Sequence, residues 1–317
     1  MYKLQNKYAI GCLVQWYEIE IIGEYIESLK QSLVDIENKE NVKVDFLLTT
    51  NQDLEKNDET ITISEIEDRF VNMLDGFNYK ITDRLVTISD YRRKFNTYYC
   101  DQVDVLMWGE TDSLIPSQTF QILDNLHTQV KENSPKYVAF FGTCKMWDES
   151  WRVVEHTKFT DNPFIENDYD NWWSLKYTMS IDEMNKINNE VEELDVQLLN
   201  KHKFNGCGLV ISSDIIKSGV NIPQSAFFVH EDTAFMFMLQ KILGNAPQFV
   251  IKNILLVHNR NHPKKRMYVS GEGINGTMNE KRRSNDWYVK ANKMSEQNVY
   301  NLFNQSKVYT WGDVFDE

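Results

Sequence analysis

Residues 104–112 read DVLMWGETD: an apolar run, Val105 to Trp108, a break at Gly109, and then two carboxylates, Glu110 and Asp112, with Thr111 between them. A short apolar run closed by a glycine is the pattern of a strand covered on both faces. In an extended segment, residues i and i+2 point the same way, so the two carboxylates are expected to converge on one cation. Hard oxygen ligands in a partly open shell suit Mg2+ or Mn2+ carrying phosphates. Taken alone, the same three residues also read as a solvated acidic turn, and the rest of the chain has to decide.

The flanking sequence alternates strand and helix patterns. Residues 8–17 are apolar and β-rich, and residues 23–35 place Ile26, Leu29 and Leu33 on one helical face. A second strand is predicted at 42–49, a helix at 63–74, a third strand at 84–89, and a helix at 90–102 capped by Ser89 or Asp90. After DVLMW comes a helix at 117–130 with Pro116 at its start. YVAFFG at 137–142 reads as a central strand of a parallel or mixed sheet. Further on, a helix is expected from 180 to about 199, sheet at 204–212, a helix at 231–243, a strand at 249–257 and a helix at 296–305. One α/β domain over residues 1–260 follows. Residues 145–203, with Trp147, Trp151, Trp172 and Trp173, read as an insertion, and 261–317 as a basic loop and helical extension packed on the same domain.

Composition narrows the function classes. Acidic residues outnumber basic ones by 47 to 34, and the net charge of −13 opposes indiscriminate attraction to nucleic acid or anionic lipid. Cys12, Cys100, Cys144 and Cys207 lack the spacing of a zinc site and the density of a secreted scaffold, so they read as buried thiols in a reducing, cytoplasmic compartment. No apolar run approaches the roughly 20 residues needed to span a bilayer.

Two further motifs bear on the paired carboxylates. VHED at 229–232 opens the helix TAFMFMLQKIL, where acidic side chains serve either as dipole-compensating caps or as a general base for an acceptor hydroxyl. His258 ends the strand NILLVH, where an imidazole emerging from the sheet edge can complete a metal site. The order of these features resembles the GT-A glycosyltransferases, metal-dependent enzymes that use nucleotide-sugar donors. ETD is similar to their DxD signature with Glu in first place, HED to their xED motif, and His258 to their C-terminal metal-binding histidine.

The resemblance implies a Rossmann-like, mixed and mainly parallel sheet flanked by helices, with Mn2+ or Mg2+ and a nucleotide-sugar, UDP-sugar above all, as donor. It implies Asp112 as the direct metal ligand, with Glu110 acting through water or on the donor ribose and His258 as third ligand. Asp232, or else Glu231, becomes the base of a direct, inverting displacement; if HED is only a cap, the enzyme is instead a retaining one. Donor contacts are expected at the ends of the first strands, from Gln15 and Trp16 beside Val14, and from Asn51 or Gln52. Arg92, Arg93 and Asn96 on the following helix are candidates for base or phosphate, since guanidinium geometry suits phosphate oxygens. Lys264, Lys265 and Arg266 would close over the diphosphate.

The acceptor stays open between a glycan or glycolipid precursor and a hydroxymethylated DNA base, for which Lys281 to Arg283 and 264–266 would supply phosphate contacts. Gly206 and Gly208 around Cys207 fit either close backbone approach to a sugar or a β-bulge. Nucleotidyl transfer also uses paired carboxylates, but the glycine-rich basic loop it needs after the first strand is missing from GCLVQWYEIE. A carbohydrate-binding module would account for the tryptophans and leave the carboxylates without a task.

Overall fold

The computed structural model describes residues 1–52, 61–74, 76–143, 180–204, 206–258, 285–304 and 306–316. Cys144, Trp147, Trp151, Trp172, Trp173, Lys264, Lys265, Arg266 and residues 281–283 lie outside them. The strands are β1 Tyr8–Gln15, β2 Val42–Thr49, β3 Asn78–Thr82, β4 Val105–Trp108, β5 Ser113–Leu114, β6 Val138–Thr143, β7 Val196–Leu198, β8 Val210–Ser212 and β9 Gln248–His258. The helices are α1 Ile22–Ser32, α2 Ile63–Met73, α3 Ile88–Tyr99, α4 Thr119–Val130, α5 Ile181–Asn189, α6 Ser213–Lys217, α7 Glu231–Leu243, α8 Asn285–Tyr300 and α9 Trp311–Phe315.

The strands join in the order β3-β2-β1-β4-β8-β6-β9-β5, with β7 on β9. Strands β3, β2, β1, β4, β6 and β9 run one way, and β8, β5 and β7 run against them. The sheet is therefore mixed and mainly parallel, as the alternating pattern predicts. Both faces are covered, which is why the central strands read as apolar runs rather than alternating ones. In β1, Tyr8, Ile10, Cys12 and Val14 pack on one side with α1, α2 and α4, while Ala9 and Leu13 pack on the other with α3, α6 and α7. Strand β4 divides likewise: Val105 and Met107 go to the first layer, Leu106 and Trp108 to the second.

Four boundaries differ from the sequence reading. The third strand is Asn78–Thr82, not 84–89. Thr87 is needed as the N-cap of α3, its hydroxyl accepting from the Asp90 amide at 3.2 Å, so the helix starts before Ser89 and no strand fits between. Helix α5 begins at the expected Ser180 cap, with a Ser180–Glu183 capping box, but stops at Asn189. Asn253 then ties down a reversal, accepting from the Asp195 amide at 2.9 Å and donating to the Glu193 carbonyl at 2.7 Å, and β7 adds to the sheet on β9. Strand β8 covers only Val210–Ser212 of the predicted 204–212. The last long helix starts at Asn285 and ends at Tyr300, because Ala291 and Val299 find buried partners on one face while 301–304 turn away. No helix among the described residues is long and apolar enough to cross a membrane.

Candidate active site

Strand β4 delivers the ETD segment into a tight turn. Gly109 donates its amide to the Gly11 carbonyl at 2.7 Å, and a Cβ there would stand 2.1 Å from the Tyr25 hydroxyl and 3.0 Å from the Gly11 oxygen, so only glycine fits. The Ser113 amide then bonds the Glu110 carbonyl at 3.1 Å, closing a turn over Glu110, Thr111, Asp112 and Ser113. The two carboxylates converge through this turn rather than through the strand alternation the sequence suggests. Thr111 leaves the other way, its hydroxyl donating to Glu18 at 2.7 Å.

The short ladder between β5 and β9 brings in the histidine. It pairs Ser113 with His258 and Leu114 with Val257, setting His258 beside the turn. The His258 Nε2 lies 3.0 Å from Glu110 Oε2 and 3.4 Å from Asp112 Oδ2. The Asp112 side chain is fully buried, whereas 23% of the Glu110 side chain is exposed, so Asp112 forms the floor and Glu110 the rim.

Arg92 links this corner to the HED segment. Its Nη2 donates to Glu110 Oε1 at 2.8 Å, its Nη1 pairs with Glu231, and its guanidinium lies 4.7 Å from the Trp108 ring centroid. Asn96 accepts from Trp108 Nε1 at 2.9 Å and thereby fixes the indole. Above it, a Cβ on Gly206 would meet Arg92 Nη1 at 2.8 Å and the Asp232 Cβ at 3.4 Å. Helix α7 is entered through His230 at φ 65°, a left-handed conformation that costs a non-glycine residue on the order of 1–3 kcal/mol and persists only where the surroundings enforce it. His230 makes no side-chain cap, and the Glu231 carboxylate goes to Arg92. Asp232 stays half-buried, accepting from the Thr233 amide at 2.7 Å.

Charge and burial set the protonation states. Burial opposes ionisation of Glu110, but the charge and hydrogen bond of His258, followed by Arg92, outweigh it and hold the carboxyl down to about 2. For His258, burial disfavours the imidazolium, yet the Cys207 sulfur, Asp112 and Glu110 reverse the sign and raise its pKa well above the ordinary value. Burial also lifts the Cys207 thiol, against the pull of His258. Burial pushes Glu231 up to about 7 against the pull of Arg92.

Other expected contacts sit differently. Gln15 is at the end of β1, donating from Nε2 to the Val86 carbonyl at 3.1 Å and from its amide to Glu18 at 2.9 Å. Asn51, past the end of β2, donates to the Asp83 carbonyl at 2.9 Å. Trp16 is buried in the core layer with α1, and Asn96 is buried between Trp108 and Asn221. Arg93 points to the 222–226 segment, donating to the carbonyls of Ile222, Pro223 and Ala226, and pairs with Asp90. The residues that sequence reasoning missed are Glu18, Thr111, Tyr25 and Cys207. Thr111 and Glu18 meet across the chain and Tyr25 packs against Gly109, none with a local signal of its role at the site, whereas Cys207 stood between the two glycines already singled out.

The Glu110, Cys207 and His258 ligand atoms all lie within 4.8 Å of one another. Metal–ligand bonds of about 2.0–2.3 Å place ligands of one ion within roughly twice that distance, so these donors can share a single divalent cation.

No family model matches this chain, and no curated protein matches it. Among solved structures, it is similar to a mannosyltransferase from Pyrobaculum calidifontis in complex with GDP-mannose and Mn2+, at 7% identity and a TM-score of 0.47, covering 97% of this chain and 77% of that one. It is also similar to TarS of S. aureus, residues 1–349, at 12% identity and a TM-score of 0.44, over 95% and 73%. A third is glucosyl-3-phosphoglycerate synthase from Mycobacterium tuberculosis in complex with Mg2+ and UDP, at 9% identity and a TM-score of 0.43, over 88% and 80%. At such identities and TM-scores these likenesses assign no chemistry, which has to come from the site itself.

Proposed function

We propose that this chain is a metal-dependent glycosyltransferase that moves a sugar from a nucleotide-sugar donor to an acceptor hydroxyl with inversion. The observation that carries the reading is the single network in which Glu110, Asp112 and His258 converge at one sheet edge and Arg92 ties them to Glu231, next to Asp232. Two carboxylates and an imidazole fit a divalent ion such as Mn2+ or Mg2+, held by Asp112 and His258 with Glu110 at the rim. When bound, that ion neutralises charge on the diphosphate leaving group.

The rest of the chemistry belongs to side chains of this protein. Asp232, half-exposed on the first turn of α7, takes the proton from the acceptor hydroxyl. The acceptor oxygen bonds to the anomeric carbon as the bond to phosphate oxygen breaks, the electron pair leaving with the nucleoside diphosphate. Glu231, engaged by Arg92, orients the segment rather than accepting that proton. Gln15, at the end of β1, and Asn51, past the end of β2, flank the place for the nucleotide, and a glycan or glycolipid precursor is the acceptor.

A thermal-shift series with UDP, GDP, CMP and TDP sugars, with and without Mn2+, tests this. One nucleotide at about 100 times its Kd is expected to stabilise the protein by about 2.7 kcal/mol, and only with the ion present. If none of them stabilises it, the donor reading fails. Asp232→Asn should bind the donor normally and slow transfer by about 10²- to 10⁴-fold; an unchanged rate would reduce HED to a structural segment.

A further inference from the structure

The candidate site contains a group that the carboxylate and histidine pattern does not account for. Cys207 lies where the chain runs into β8, opposite the end of β4: the Gly208 amide donates to the Trp108 carbonyl at 3.1 Å and the Trp108 amide to the Leu209 carbonyl at 2.9 Å. This pairing sets residue 207 across from the Gly109–Glu110 step. The two glycines fix how it arrives. Gly206 packs against the Arg92 guanidinium, and Gly208 takes a left-handed φ of +68°, bending the backbone at the sulfur.

A buried cysteine is ordinarily a small apolar filler. Cys207 is 3% exposed, but polar groups face it: its sulfur, the Glu110 carboxylate and an imidazole nitrogen of His258 are mutually within 4.8 Å, and Asp112 Oδ2 is 3.4 Å from His258 Nε2.

We propose that Cys207 is a direct ligand of the bound cation, giving a mixed thiolate, imidazole and carboxylate centre that selects a thiophilic borderline ion such as Zn2+ or Co2+ over Mg2+. This rests on the reading that Glu110, Asp112 and His258 hold a divalent cation. Mg2+ takes oxygen ligands in a rigid octahedron and gains nothing from sulfur, whereas Zn2+ and Co2+ accept S, N and O donors together. Cys207, His258 and Glu110 would supply a sulfur, a nitrogen and an oxygen donor, with Asp112 beside His258. On coordination the thiol proton passes to solvent and the sulfur binds as thiolate.

The test uses the full chain, stripped of metal with a chelator. Titration with Co2+ should give a thiolate-to-metal charge-transfer absorption in the near ultraviolet, saturating with the heat of binding measured by calorimetry. The band should survive in Cys12→Ser and vanish in Cys207→Ser. In Cys207→Ser, Co2+ affinity should fall by about 100-fold, the upper end of what even a ligand-orienting partner is worth, while Mn2+ affinity changes far less. Should that variant fail to fold, the triple variant Cys12→Ser/Cys100→Ser/Cys144→Ser leaves Cys207 as the sole thiol and must keep the band. Co2+ binding with full heat but no band, or a band that persists in Cys207→Ser, overturns the ligand assignment alone. Absence of heat with Co2+, Zn2+, Mn2+ and Mg2+ alike overturns the cation site, and this assignment with it.

Discussion

Asp124 and Asp112 are both buried aspartates at the margin of the same sheet, and they are held in opposite ways. Asp124, on α4, sits at the amino end of β1 and is surrounded by neutral donors. It accepts from Tyr8 Oη at 2.8 Å, from the Asn6 amide and side chain at 3.0 and 2.9 Å, from the Gln5 amide at 3.0 Å and from Tyr2 Oη at 3.1 Å. Every donor is uncharged, and the result is a closed knot that pins residues 2–8. Asp112, at the other end of the strands, shares its pocket with a second carboxylate, an imidazole and a thiol. A carboxylate saturated by neutral hydrogen bonds is an anchor, whereas Asp112 sits in a cluster of charged groups, with His258 between it and Glu110.

Breaking each side of that contrast should give different signatures. The largest effect is expected from Asp112→Asn, which should reduce Mn2+-dependent turnover by about 10³-fold or more. Its unfolding midpoint should stay close to the parent's, and full activity would remove Asp112 from the metal site. Next comes Arg92→Leu. Removing the guanidinium breaks the buried pair with Glu231 and the pair with Glu110, and a loss of about 3–5 kcal/mol is expected in urea unfolding. If the loss is under about 1 kcal/mol, Arg92 is not the tie between the two motifs.

Asp124→Asn should cost about 1–3 kcal/mol with no change in ion affinity. The folded pKa of Asp124 is lowered, because backbone and side-chain donors from Gln5, Tyr8 and Asn6 outweigh its burial. Its stabilisation is therefore complete above the unfolded value of 3.8 and fades as pH falls through the folded one. The gap between wild type and Asp124→Asn should accordingly close in acid, and a gap that persists there would mean the knot acts through shape rather than charge. The smallest effect is expected from Thr87→Ala, which removes a helix cap belonging to neither region and should cost about 1 kcal/mol by thermal unfolding.

How legible these features were in the sequence follows from the range of the interactions that make them. Strands β1, β4 and β6 were readable because burial on both faces writes a continuous apolar run, and β2, VKVDFLLT, because its first half alternates buried and more exposed positions. Strand β3, an edge of mostly exposed residues in NYKIT, leaves no such mark and was displaced onto 84–89. Strand β7 was absorbed into a helix, because only its pairing to β9 and the Asn253 clamp give it its form. Glu110, Asp112, His258 and the HED segment were visible as residue types at strand ends and a helix start. Their wiring was not, since Arg92 sits 18 residues before Glu110 and 139 before Glu231, and nothing local selects it over Arg93. Cys207 looked like any apolar-context thiol until the register of β8 against β4 set it beside Glu110.

The ladder of β5 on β9 covers only Ser113 and Leu114 against His258 and Val257, yet it joins segments far apart in the chain. Loop closure over such a distance is unfavourable until many other contacts exist. The corner proposed to hold the ion therefore needs both partners of this ladder: with β1 to β4 in place it is still incomplete until residue 258 has docked. On the proposed reading, ion affinity would be a readout of completed assembly, and on partial unfolding it should disappear before the apolar layers around β1 come apart.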